Sequence, residues 1–286
     1  MVRCWAYRFC MIFTAAFGIA GARADDATKP ADHFTLIREM REQRSQLLRG
    51  AFHGKGHQIF AAKSEGADGE TDSPRSDFKF DVEFDFAEKV FRSDREIPVV
   101  EEDPKTGRPT VRLVSHRYLR DGDPELYVAV LGDLARARDF PLKPVSAVNR
   151  PDPAAMPWDV RTFGLGDWAS IERAWTIQNW NDAFDSSTVV NAVEESDGRC
   201  AVTSQPKNPT IQVKLWINPK RGHTAERLEV RRMDIETKAW GEPVIVTETK
   251  WEERNHVWVP TWMKLERDFR GPESWEATID WDRVNE

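Results

Sequence analysis

The sequence predicts a mainly β chain with two helices, an α+β fold whose roughly twelve short strands form an antiparallel sheet that must curl or close. Three observations predict it. Asp77 to Phe86 alternates strictly, with Phe78, Phe80, Val82, Phe84 and Phe86 on one face and Asp77, Lys79, Asp81, Glu83 and Asp85 on the other. From Ile211 to Phe269 apolar and polar residues again alternate, broken only by turn residues, which is the pattern of a β-meander. Helical spacing of apolar residues appears in two stretches, Asp32 to Gly50 and Asp167 to about Trp180.

Taken in order, Met1 to Ala24 carries Arg3 and Arg8, an apolar run from Met11 to Ala20 and the triplet Ala22-Arg23-Ala24. This is the layout of a cleaved secretory signal, too short and wrongly flanked for a stable membrane span. Residues 25–286 are then expected as one domain, periplasmic or secreted, in a bacterial cell envelope. Asp32 stands where a helix N-cap is wanted and Gly50 where a stop is wanted. Between them Leu36, Ile37, Met40, Leu47 and Leu48 share a side. Arg44 projects from the middle of that stripe; it either lies along the apolar surface and reaches water or anchors the helix to an acidic strand face. Ala51 to Ala62 reads as a first strand with Gly54 and Gly56 at a bulge or bend, and Lys63 to Ser76 as a hairpin loop.

After the Asp77 to Phe86 strand, Glu88 to Glu96 is a further strand, and Thr110 to Arg120 pairs with Glu125 to Val130 about Asp121-Gly122. Arg138 to Gly166 holds five prolines and reads as a loop crossing one sheet. Asp167 can cap the second helix, with Trp168, Ile171 and Trp175 on its stripe. Seven more strands follow: Thr188 to Glu195, Arg199 to Ser204, Ile211 to Ile217, His223 to Met233, Val244 to Glu252, His256 to Phe269 and Trp275 to Trp281.

Composition narrows the function classes. The chain has 41 Lys+Arg and 48 Asp+Glu, and loss of Arg3, Arg8 and Arg23 with the leader leaves a net charge of −10. Such a balance argues against nucleic acid as partner, since that affinity comes from clustered positive charge. Cys4 and Cys10 leave with the leader, so Cys200 has no partner for an internal disulfide and reads as buried or inert. Eleven of the twelve tryptophans fall between Trp158 and Trp281. Whether Trp216, Trp251, Trp258 and Trp262 look into a pocket or out to solvent bears directly on function.

No motif compels a reaction. His53 and His57, in His-Gly-Lys-Gly-His, are about 13 Å apart on a strand, too far to share a metal. The acids Asp77, Asp81, Glu83 and Asp85 could offer paired carboxylates for glycoside chemistry, but one of the pair needs a raised pKa and nothing marks one as buried. No Gly-x-Ser-x-Gly and no phosphate loop is present. The expectation is therefore a non-catalytic chain with no cofactor and no metal. The apolar face, by contrast, serves structure and function with the same atoms. Phe78, Phe80, Phe84, Val213, Leu215, Val259 and Met263 should face inward with Leu36, Met40 and Leu47 of the helix, as core filler or as the lining of a cavity.

The order of leader, amphipathic helix, the Asp-Phe-Lys-Phe-Asp-Val-Glu-Phe-Asp-Phe strand, mid-chain helix and meander resembles the lipoprotein-localisation carriers, the LolA/LolB-like group. Leu215-Trp-Ile-Asn-Pro-Lys-Arg-Gly222 and Trp251-Glu-Glu-Arg-Asn-His-Val-Trp-Val-Pro260 look like strand-turn-strand units of its divergent exported relatives. The turn departs from that pattern, with His256 where Gly is expected, leaving Asn255 to supply any left-handed conformation. The resemblance implies a curved, incomplete barrel of about 11–12 strands wrapping a helical lid and an apolar cavity for acyl chains of lipid or lipoprotein; beside it, the place of Arg44 in the stripe makes that residue the candidate lid anchor, and envelope proteins are candidate further partners. Two readings stand beside it: an envelope hydrolase acting on sugar polymers through the 77–85 carboxylates, and a structural envelope protein with a filled barrel.

Overall fold

The computed structural model describes residues 32–60, 75–102, 109–121, 125–131, 143–144, 159–166, 177–268 and 272–286. The leader, most of the 63–76 loop, the Gly122 turn, most of the Pro-rich stretch and the Asp167 cap with Trp168, Ile171 and Trp175 lie outside them.

Helix α1 (His33–Ser45) starts where the sequence placed it. Asp32 caps it, Oδ1 accepting from the amides of Phe34 (3.1 Å) and Thr35 (3.4 Å) and Oδ2 from the Thr35 hydroxyl (2.6 Å). It ends earlier than expected, and the reason lies at the other end of the chain. The Asn285 side chain accepts from the amide of Leu48 (2.9 Å) and donates to the carbonyl of Gln46 (2.7 Å), so the backbone is bent into a strand instead of a further turn. Gly50 is consequently a strand residue, where a Cβ would stand 2.8 Å from the Arg283 carbonyl oxygen. Helix α2 (Ile177–Asp185) is the second described helix.

The strands are β1 (Arg49–Ile59), β2 (Arg75–Asp85), β3 (Val90–Glu102), β4 (Pro109–Asp121), β5 (Glu125–Leu131), β6 (Lys143–Pro144), β7 (Thr188–Glu194), β8 (Cys200–Gln205), β9 (Ile211–Asn218), β10 (Thr224–Met233), β11 (Trp240–Arg254), β12 (Val257–Asp268) and β13 (Pro272–Val284). Among the described residues all twelve expected strands are present, and a thirteenth is the two-residue β6 inside the Pro-rich stretch. They form one antiparallel sheet in the order β6-β5-β4-β3-β2-β1-β13-β12-β11-β10-β9-β8-β7. The last strand therefore pairs beside the first, while β6 and β7 stand at the two ends of the order of described strands. Bulges between Ala51 and Phe52, Ala225 and Arg227, and Lys250 and Trp251 bend the sheet. The result fits an incomplete curved barrel with a helical lid.

Gly54 and Gly56 have a different task from the bulge expected of them. A Cβ on Gly54 would stand 2.2 Å from Cζ of Phe80, and one on Gly56 would stand 2.7 Å from Cζ of Phe78. The glycines of β1 thus leave room for the phenylalanine rings of β2, which lie across them in register, and at Gly56 also for the backbone of β13 at Glu276.

The β11–β12 turn also departs from expectation. Both Asn255 (φ 48°) and His256 (φ 62°) are left-handed, the backbone of a two-residue type I′ hairpin. Asn255 is suited to it and is further held by the Val284 carbonyl (2.9 Å), whereas His256 bears a steric cost there. His256→Gly should stabilise the chain by about 1 kcal/mol, read as a rise in the urea midpoint with an unchanged denaturant slope.

Candidate functional site

The inner face of the sheet is the face of Phe78, Phe80, Val82 and Phe84, all buried, while Asp77, Lys79, Asp81 and Glu83 are exposed. Apolar residues on this face fall into two clusters. The first joins Phe52, the β2 residues, Phe91 and Tyr118 to Val259, Met263, Leu265 and the β13 residues. The second joins Leu36, Ile37 and Met40 of α1 and Trp180 of α2 to Val202, Leu215, Ile217, Ala225 and Leu228 of β8 to β10. The ten residues expected to line one cavity are divided between them. Phe78, Phe80, Phe84, Val259, Met263 and Leu47 belong to the first; Leu36, Met40 and Leu215 belong to the second, with Val213 half-buried against it.

One short segment belongs to both. Residues 159–166 enter a 3-10 turn at Val160–Thr162, capped by Asp159, and carry Val160 and Phe163 into the first cluster and Leu165 into the second. Gly164 (φ 79°) reverses the chain between those side chains, and a Cβ there would stand 2.9 Å from both the Ala225 carbonyl oxygen and the Thr249 hydroxyl. The segment is held through main-chain carbonyls: Arg44 Nη1 donates to Arg161 O (2.6 Å) and Phe163 O (2.9 Å), and the Thr247 hydroxyl donates to Gly166 O (3.0 Å).

Arg44 therefore does not reach water, nor does it face an acidic strand. Its side chain is 3% exposed, its guanidinium lies 4.9 Å from the ring centre of Trp251, and its two named acceptors are carbonyls. Burial pushes its pKa down to about 9, with Asp159 opposing, so it remains a cation at neutral pH. Asp159 does not bond to it; its carboxylate receives Arg161 and the amides of Arg161 and Ile177. Sequence spacing placed Arg44 in the apolar stripe, but no local signal announced its carbonyl partners, which lie more than a hundred residues away.

Further contacts fix α1. Glu39 meets His223 (2.7 Å) in the β9–β10 turn, Arg41 meets Asp185 (2.7 Å) at the end of α2, and the Gln43 amide donates to Trp258 O (3.2 Å). The His223 contact depends on the turn Pro219–His223, where Gly222 (φ 59°) packs against the Trp258 ring.

The tryptophans divide. Trp251 is buried inside, its ring N–H donating to Ala225 O (2.8 Å). Trp216 lies between Leu215 and Ile217 in the strand and so points to the opposite face. It lines, with Trp262, Arg227, Glu248 and Lys250, a cleft of about 720 Å³ that includes none of the ten predicted residues. Its ring N–H is taken by Glu195 (3.0 Å), and that of Trp262 by Glu276 (2.9 Å), while Lys214 and Lys250 lie over the two rings.

The remaining candidates are dispersed. His53 and His57 sit four apart on β1 beside acids of β13, His53 3.2 Å from Asp282 and His57 3.8 Å from Glu276. Among the described residues no three metal-ligating side chains converge. Burial pushes the Cys200 thiol up, which keeps it protonated and unreactive. A buried carboxylate that the sequence did not single out is Asp94, 3% exposed and opposite Asp81 in the register. Burial works to raise its pKa, but bonds from Arg117 (2.6 Å) and Arg92 (2.8 Å) prevail and hold it below the usual range. That is the reverse of what a general acid requires.

No family model and no curated protein matches the chain. Among solved structures, it is similar to a LolA superfamily protein from Nitrosomonas europaea, with 12% identity over 86% of this chain and 90% of that one, at a TM-score of 0.42. It is also similar to a DUF1329 family protein from Desulfovibrio piger, with 10% identity over 87% and 92% and a TM-score of 0.45. No described helix is long and apolar enough to cross a membrane.

Proposed function

We propose that the chain is an exported, non-catalytic lipid- or lipoprotein-binding module that takes acyl chains between α1 and the inner face of the sheet. Residues 25–286 form the binding domain, envelope proteins exchange ligand with it, and no cofactor takes part. The observation that carries the reading is the 159–166 segment. Val160, Phe163 and Leu165 occupy the apolar interior at the junction of the two clusters, and the segment is tied down by three carbonyl bonds to Arg44 and Thr247. An acyl chain that takes the place of these side chains buries comparable apolar area, at about 25 cal/mol per Å², with Phe78, Phe80, Phe84, Val259, Met263 and Leu47 on one side and Leu36, Met40, Val213 and Leu215 on the other. Arg44, as anchor, then sets how readily the segment leaves.

The packing of the two clusters also favours a second reading, a structural envelope protein whose sheet is permanently filled. Native mass spectrometry of the mature chain and titration with a fluorescent fatty acid separate the two. Co-purified lipid, or saturable binding with one site per chain, is expected; a chain free of lipid that leaves the probe's emission unchanged supports the filled sheet.

A further inference from the structure

The buried guanidinium of Arg44 is only half used. Both carbonyl bonds fall on Nη1, while Nε and Nη2 are buried with no hydrogen-bond partner among the described residues. These two atoms form the edge of a guanidinium that grips two oxygens of one oxyanion side by side. The hydroxyl of Thr249, 4% exposed, is likewise without a partner among the described residues. It lies on β11 two residues before Trp251, the ring beneath Arg44, and on the same face of the strand. It also abuts Gly164, the residue after the carbonyl that Arg44 holds. The acid that acts on the Arg44 charge, Asp159, has its oxygens committed to Arg161 and to two amides. A cation is thus held in an apolar interior, with its bidentate edge and a neighbouring hydroxyl both open, and buried donors of this kind are costly unless an acceptor meets them.

We infer that Arg44 Nε and Nη2, with the Thr249 hydroxyl, form a receptor for the two-oxygen anionic head of an amphiphile, a carboxylate or a phosphate on an apolar chain. This rests on the acyl-chain reading and adds the chemistry of the head. The chain of such a ligand enters the interior as the 160–166 side chains leave it, and the head is fixed at Arg44, over the Trp251 ring. A neutral amphiphile of the same length gains the apolar burial and none of the charge-assisted bonds.

The experiment compares, on the delipidated mature chain, a long-chain fatty acid, its methyl ester and a monoalkyl phosphate of equal chain length, each by displacement of a fluorescent fatty acid. The expected result is that one or both anions bind about tenfold or more tighter than the ester, and that this preference falls to about one in Arg44→Met and is reduced in Thr249→Val. Arg44→Lys keeps the charge without the paired edge; it is also expected to lose most of the preference and serves if the methionine variant does not fold. The order of the two anions identifies the head as carboxylate or phosphate. Equal binding of acid, phosphate and ester to the native chain overturns the receptor and leaves the acyl-chain reading standing, as does a preference that survives in Arg44→Lys and Thr249→Val together. Binding of none of them overturns both.

Discussion

Phe80→Ala is expected to destabilise the chain by about 3–5 kcal/mol, lowering the melting temperature by on the order of 10 °C. Phe80 is 1% exposed, stands in the middle of β2, and meets the Phe52 ring edge-on at 6.1 Å and Phe78 at 6.3 Å. Its ring tip covers Gly54, so the cavity left by its removal opens onto bare backbone that has no side chain with which to refill it. The pair gives a sharper test than either residue alone. Gly54→Ala in the native background drives its methyl into the ring, whereas in the Phe80→Ala background that ring is gone, although the Thr278 carbonyl oxygen still stands 2.6 Å away. The double variant should therefore cost less than the two single variants combined, by about 1 kcal/mol or more. Strict additivity in chemical denaturation would mean that the ring does not lie across the glycine.

The same two residues show how much of the fold the sequence carried. Strict alternation at Asp77 to Phe86 identified the strand, its buried face and its exposed face, because a period of two is a local property of the pleat. What Gly54 and Gly56 were for was not legible, because their partners are the ring tips of another strand, known only once the β1–β2 register is set. Gly50 failed for a similar reason: as a helix stop it looked well placed, but the backbone there is diverted by Asn285, 235 residues further on. At Gly198 and Gly222, where one left-handed glycine decides the geometry, the turns stand where the sequence signals them. At Asn255-His256 two residues share it, and the second is a side-chain-bearing residue where glycine would carry no steric cost.

The candidate site was legible as a set of inward residues and not as an arrangement. Each of the ten lining candidates does face the interior or pack against it, yet they divide into two clusters, and the element that stands at the junction is the 159–166 stretch. In the sequence that stretch is the end of a Pro-rich loop, with no period to show that Val160, Phe163 and Leu165 are core residues. Arg44 was noticeable because a cation interrupted an apolar stripe. Its partners were beyond reach, since a backbone carbonyl has no identity in a sequence; any residue at 161 or 163 would have supplied one.

Asp94 was hidden by the same logic, and it sets the second large expected effect. Removing Arg117 by substitution to Ala should cost about 3 kcal/mol at neutral pH, because a carboxylate that is 3% exposed would keep only the half-exposed Arg92 as partner. The pH dependence gives the sign. Asp94 has a folded-state pKa below the ordinary 3.8, so its contribution is fully present above that value and is lost as the pH falls through the lowered one. Glu229 behaves alike on the other half of the sheet: burial opposes, and bonds from Arg227 (2.9 Å) and Arg231 (3.0 Å) prevail to hold it below the usual carboxylate range. The native chain should accordingly lose stability steeply below about pH 4. In Arg117→Ala the neutral-pH stability is lower and the acid limb shallower, since protonating Asp94 no longer breaks two ion pairs. Urea midpoints measured from pH 7 to pH 3 check both. Native and variant curves that run parallel across this range would show that Asp94 is not held by Arg117, and curves that converge toward acid pH are the expected result.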